Sequence, residues 1–187
     1  MNEPVQNLNW DPRKLPREIK EAIGLVNANF AQTEEFLQTA IAGSAGLDME
    51  IGLAITLHMP MPLRFDVLRA VAEITINDVS VLDELDEHIA QYELAIKNRN
   101  AVAHNRWCVD PKTAEVFTSK FSARGTLRAD LLPMPIKQIL ADAEFIYDVG
   151  MSFFVFLKLN KLLPATVKRP SRFHKMKAQR KKRGNLS

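Results

Sequence analysis

Residues 80–107 read SVLDELDEHIAQYELAIKNRNAVAHNRW. Leu82, Leu85, Ile89, Tyr92 and Ile96 recur at the three-and-four spacing that lines one face of an α-helix. Ser80, with Asp83 three residues later, fits a capping box, so the helix is expected to start at Ser80. The same seam continues to Arg99 and Ala103, which puts an arginine where the pattern asks for an apolar side chain. A guanidinium is costly to bury unpaired. Arg99 is therefore expected to face a carboxylate from another helix, a second chain or a solvent-filled groove.

Upstream, the sequence reads as further helices. Pro4, Pro12 and Pro16 make residues 1–16 an irregular leader. A helix is expected from Pro16 or Arg17, since proline suits a first turn. Ile19, Ile23, Val26, Phe30, Thr33, Leu37 and Ile41 give it one apolar face, and Gly43 to Gly46 end it. A short helix should cover Met49 to His58. The Met59-Pro60-Met61-Pro62 stretch separates it from a largely buried helix over Leu63 to Ile76.

Downstream the periodicity changes. Trp107, Val109, Val116, Phe117 and Phe121 surround the turn-like Asp110-Pro111-Lys112-Thr113, which predicts a small β-hairpin. Ser122 to Pro135 reads as a loop, with at most a helical turn. Pro135 opens a last long helix to about Leu163, along Ile136, Leu140, Ala143, Tyr147, Phe154 and Leu157. Gly150, in its middle, should allow close packing. The expected fold is all-α: an up-down bundle of four to five helices over residues 17–163, with the hairpin inserted before the last long helix.

Composition sets the outer limits. The 187 residues suffice for one well-buried domain, and 47% of them are hydrophobic. The net charge of +3 hides an asymmetry. From Lys158 onward there are 11 Lys or Arg and no acid, against 14 bases and 22 acids in the remainder. Residues 164–187 thus form a basic tail, expected to be disordered, with Lys168, Arg169 and Arg172 as candidate phosphate contacts. A solvated charge run that only aids solubility is the plainer reading. The single cysteine, Cys108, forms no internal disulfide and suits a cytoplasmic protein, most simply as an apolar filler on a strand. The first twenty residues lack the pattern of a signal peptide. Phe145 to Leu157, the most apolar run, is too short to span a bilayer, so no membrane association is expected. His58, His88 and His174 lack metal-ligand spacing, and neither a metal nor a cofactor is implied. His88, near Glu84 and Glu87, reads as a surface histidine.

The stretch Arg99-Asn100-Ala101-Val102-Ala103-His104 resembles the signature of the HEPN superfamily (higher eukaryotes and prokaryotes nucleotide-binding domains). There an Arg is followed by a polar residue and, after a short gap, by His. Many members continue with Gly and then an aromatic residue; here Asn105 replaces the Gly and Trp107 keeps the aromatic. The motif also falls at the end of a long amphipathic helix. On an ideal helix, however, residues five apart point roughly 140° from each other. Arg99 and His104 can meet only if the helix frays or ends near Ala103, or if two copies face each other across a two-fold axis.

The resemblance implies a metal-independent endoribonuclease with Arg99, Asn100 and His104 as its catalytic residues. In active members the ribose 2′-hydroxyl attacks the adjacent phosphate and leaves a 2′,3′-cyclic phosphate. Imidazole suits proton transfer near neutrality, and a guanidinium fork suits phosphate oxygens. The resemblance also implies a homodimer acting on RNA as a toxin or phage-defence effector, with a cognate antitoxin as a further partner. Arg106 and Trp107 are candidate RNA contacts, although Trp107 equally suits an anchor that pins the hairpin to the bundle. Asn27, Glu34 and Glu35 could reach the cleft from the first helix, against the plainer reading of a polar helix edge. Two other functions compete: a non-catalytic HEPN module that binds RNA or nucleotide or scaffolds a complex, and a helical interaction protein whose tail docks nucleic acid.

Overall fold

The computed structural model describes residues 8–165, apart from residue 125 and the side chains of residues 121–129. The described chain is mostly helical: α1 (Arg17–Ser44), α2 (Met49–Thr56), α3 (Met61–Thr75), α4 (Val79–Ala103) and α5 (Ile136–Leu159). Between α4 and α5 lies a small antiparallel sheet of β1 (Arg106–Val109), β2 (Val116–Arg124) and β3 (Thr126–Pro133). No described helix is long and apolar enough to cross a membrane.

The apolar seam of α1 forms the spine. Ile19, Val26, Phe30, Leu37 and Ile41 are buried, and α1 packs against each of the other four helices. Its closest partner is α5. Gly150 makes that approach feasible, because a Cβ there would lie 2.5 Å from Thr33 Oγ1. The Thr33 hydroxyl bridges the two helices, bonding to the carbonyls of Asn29 on α1 and Ile146 on α5. From α4 come Leu85, Ile89 and Tyr92, the Tyr92 ring edge-on to Phe65 and Phe153. Burial raises the pKa of the Tyr92 hydroxyl far above its ordinary value.

Several expectations need correction. The expected hairpin is two strands of a three-stranded sheet, and the segment from Ser122 to Pro135 supplies the end of β2 and all of β3. Its register runs from Phe117↔Pro133 to Arg124↔Thr126. Alternating charged and apolar residues with weak strand propensity conceal it; cross-strand pairing, which no single segment displays, overrides that propensity. The cap of α4 is Asp78 rather than Ser80: its carboxylate accepts from the Ser80 N–H and hydroxyl. A carboxylate two residues earlier serves the same free donors. The helix over Leu63 to Ile76 is only half buried; Arg64, Phe65, Leu68 and Ala72 face inward, while Ile74 is 83% exposed. The last helix stops at Leu159, where Asn160 turns its amide back to the Phe156 carbonyl.

His88 is likewise no surface residue. Its ring packs 4.8 Å from Phe156 and 5.7 Å from Phe153, and the side chain is 15% exposed. Sequence proximity to Glu84 and Glu87 misleads here, because the ring leans from the helix edge onto α5.

The stretch before α1 is tied into the fold. Asn9 exchanges both backbone hydrogen bonds with Val109, at 2.9 and 3.0 Å, so it flanks the free edge of β1. Asp11 caps a short 3-10 turn, Pro12–Lys14, and Leu15 enters the core.

Two measurements check this packing. Gly24 on α1 has open space around it, so Gly24→Ala should raise stability by about 0.5–1 kcal/mol through helix propensity alone. Gly150→Ala carries the same gain but forces the Thr33 contact, and should lower stability by about 1 kcal/mol net. Urea midpoints moving in the same direction for both variants would contradict the packing.

A second expectation concerns pH. Burial lowers the pKa of His88, and Glu84 and Glu87 only partly offset it. The unfolded chain therefore takes up this proton at a higher pH than the folded one. Stability should be full above about pH 6.5 and fall below it, toward the lower folded-state pKa. His88→Leu should flatten that acid-side decline; an unchanged slope would show that His88 does not cause it.

Candidate functional site

The α-helical turns of α4 end at Ala103. His104 is the C-cap, at φ −111° and ψ −15°, and its N–H still bonds to the Asn100 carbonyl at 3.0 Å. Two residues on, the chain enters β1. The last carbonyls of a helix have no partner within it. Here the Trp107 indole N–H donates to the carbonyl of Val102 at 2.9 Å. Trp107 is half-buried against the core, so it is the anchor between sheet and bundle. Asn105 does not adopt positive φ, so nothing in the backbone calls for glycine there.

This ending brings the motif together. Arg99 Nη1 lies 2.8 Å from His104 Nε2 and donates to Asn100 Oδ1 at 3.1 Å. A guanidinium only donates, so Nε2 is the acceptor and the imidazole proton sits on Nδ1 in this arrangement. The Arg99 guanidinium also stacks 5.0 Å above the Phe30 ring of α1. The apolar seam of α4 therefore closes over Phe30 with a cation–π contact in place of an aliphatic one.

Arg99 is half-buried, while Asn100 and His104 are exposed. No ion pair among the described residues engages Arg99. Its Nε is sealed from solvent without a partner. Of the three expected settings for Arg99, pairing with a carboxylate is thus not the one found. The C-terminus of α4 carries partial negative charge, which favours a cation at Arg99. A phosphate at that helix end would depend on the guanidinium to offset the same field.

Arg106 lies on β1 with its guanidinium 5.1 Å above the ring of Trp10. Trp10 was not legible as a site residue, since it stands in a proline-punctuated leader without periodicity. Only the Asn9–Val109 bridge places it beside β1. Asn27 turns back to the Ile23 carbonyl, and Glu34 holds the buried Arg64, so neither engages Arg99. Lys168, Arg169 and Arg172 lie outside the described residues. Cys108 is buried on β1, and burial raises its pKa, which opposes a thiolate. Among the described residues, no three His, Cys, Asp or Glu side chains group closely enough to hold a metal ion.

Compared with known protein families, curated proteins and solved structures, the chain matches none.

The geometry separates a structural from a functional Arg99. An apolar residue satisfies the seam without leaving a buried Nε unpaired. Arg99→Met should melt at the wild-type temperature or above. A fall in stability of more than about 1 kcal/mol would mark Arg99 as chiefly a packing residue.

Proposed function

We propose that this chain is a HEPN-type, metal-independent endoribonuclease that works as a homodimer, with Arg99, Asn100 and His104 as its catalytic residues. The observation that carries the reading is the contact between Arg99 and His104. An ideal helix would hold them apart, and α4 ends at the residue that lets them meet. A cation and an imidazole side by side on an open surface are the two groups that cleavage by a 2′-hydroxyl requires.

In this mechanism the phosphate takes the donors of Arg99 and releases His104 Nε2. His104 accepts the 2′-hydroxyl proton while the 2′-oxygen bonds to phosphorus. The bond to the 5′-oxygen breaks, leaving a 2′,3′-cyclic phosphate and a 5′-hydroxyl. The leaving oxygen needs a proton, which the second copy's His104 supplies if two sites face each other across the dimer axis. Arg99 stabilises the charge gathering on the non-bridging oxygens through its planar fork. Asn100 steadies the guanidinium. Arg106 and Trp10 form a neighbouring cationic and aromatic surface suited to a flanking nucleotide. A toxin or phage-defence role with an antitoxin partner follows from the family resemblance alone.

A non-catalytic HEPN module is the second reading; the exposure of His104 and Asn100 is compatible with binding as well as chemistry. The two are separated by incubating the full chain with a mixed RNA pool in EDTA and mapping cyclic-phosphate ends. Cleavage should persist in EDTA and fall at least ~100-fold in His104→Ala. Arg99→Lys, which keeps the charge but loses the fork, should fall by ~10-fold or more. RNA binding without such ends would favour the non-catalytic module, and full activity in His104→Ala would remove His104 from the mechanism.

A further inference from the structure

On α1, one turn beyond Phe30, lies a hollow of about 330 Å³. It is bounded by Leu53 and Leu57 and carries Glu34, Glu35, Gln38 and Arg64. Gln38 is only 7% exposed, yet its amide makes no hydrogen bond among the described residues. The amide is not sealed off either, since it is absent from the buried unpartnered atoms and lines the hollow. A largely buried side chain thus presents two unused donors and an acceptor to one small space. Glu35 is exposed, and its carboxylate has no partner among the described residues. Glu34 is different: it holds Arg64, whose side chain is 6% exposed, and that pair forms the wall.

We infer that this hollow is a nucleobase subsite that selects guanine. The inference rests on the ribonuclease reading for its ligand class, and on the hollow itself for its specificity. The free Glu35 carboxylate has two acceptor oxygens and matches two adjacent N–H donors. Guanine alone offers these, as N1–H beside its N2 amino group. Adenine and cytosine place an acceptor beside their amino group, and uracil flanks its one N–H with two carbonyls. The Gln38 amide then donates to guanine O6. Leu53 and Leu57 supply apolar surface for the ring. Glu35 stands about 7.5 Å beyond Phe30 along the axis of α1, and Gln38 about 12 Å beyond it.

The test is binding of 5′-GMP, AMP, CMP and UMP to the full chain in EDTA, read by NMR chemical shifts. GMP should bind at least ~5-fold tighter than the other three. Glu35→Gln and Gln38→Leu should each weaken GMP by ~10-fold while leaving AMP unchanged. The exposed Glu35 is replaceable without unfolding, so that variant keeps the test open if Gln38→Leu misfolds. Equal binding of all four nucleotides, or GMP binding indifferent to Glu35→Gln, would overturn the inference. RNA cleavage without guanine preference would overturn it and leave the ribonuclease reading standing. Guanine-selective binding without cyclic-phosphate ends would sustain the subsite and refute the ribonuclease.

Discussion

The indole N–H of Trp107 takes the carbonyl of Val102, and in doing so ties the last turn of α4 to the first strand of the sheet. Had the helix continued, His104 would point away from Arg99. Because it stops, His104 becomes a C-cap whose ring swings back to the guanidinium. The sheet is therefore more than an ornament on a helical domain. It terminates α4 at a defined residue, and that termination composes the candidate site.

Arg99 departs from the folding pattern of its own helix. Ile89, Tyr92 and Ile96 build an apolar line that a leucine at position 99 would complete. The chain instead places a guanidinium over Phe30 and leaves one nitrogen sealed without a partner. Local rules broken without a compensating gain in stability are expected where a side chain serves something other than packing. Arg64 offers the contrast. It is more deeply buried and its Nε is likewise sealed without a partner, but Glu34 pairs with its guanidinium, as a structural cation requires.

The helices were legible because their apolar spacing is local: the seam of α1 predicts its buried face almost residue by residue. The breaks at Gly43 to Gly46 and Met59 to Pro62 were legible for the same reason. What failed was non-local. β3 is held by pairing with β2 along a register that no window of sequence reveals, and Trp10 reaches the site region through a bridge to Val109. At the site, the motif residues and the doubt about their angle were both readable, whereas the resolution of that doubt required the Trp107 contact. Gln38 gave no signal. A polar residue one position past the apolar Leu37 looks like an ordinary helix flank until its burial is known.

The two hydrogen bonds between Asn9 and Val109 join positions one hundred residues apart in the chain. Closing so long a loop is slow, because its entropy is lost before the contact is gained. Until it closes, β1 presents an open row of amides and carbonyls, the kind of edge that recruits a strand from another molecule. The leader thus acts as a guard for a sheet whose other strands are close neighbours in sequence.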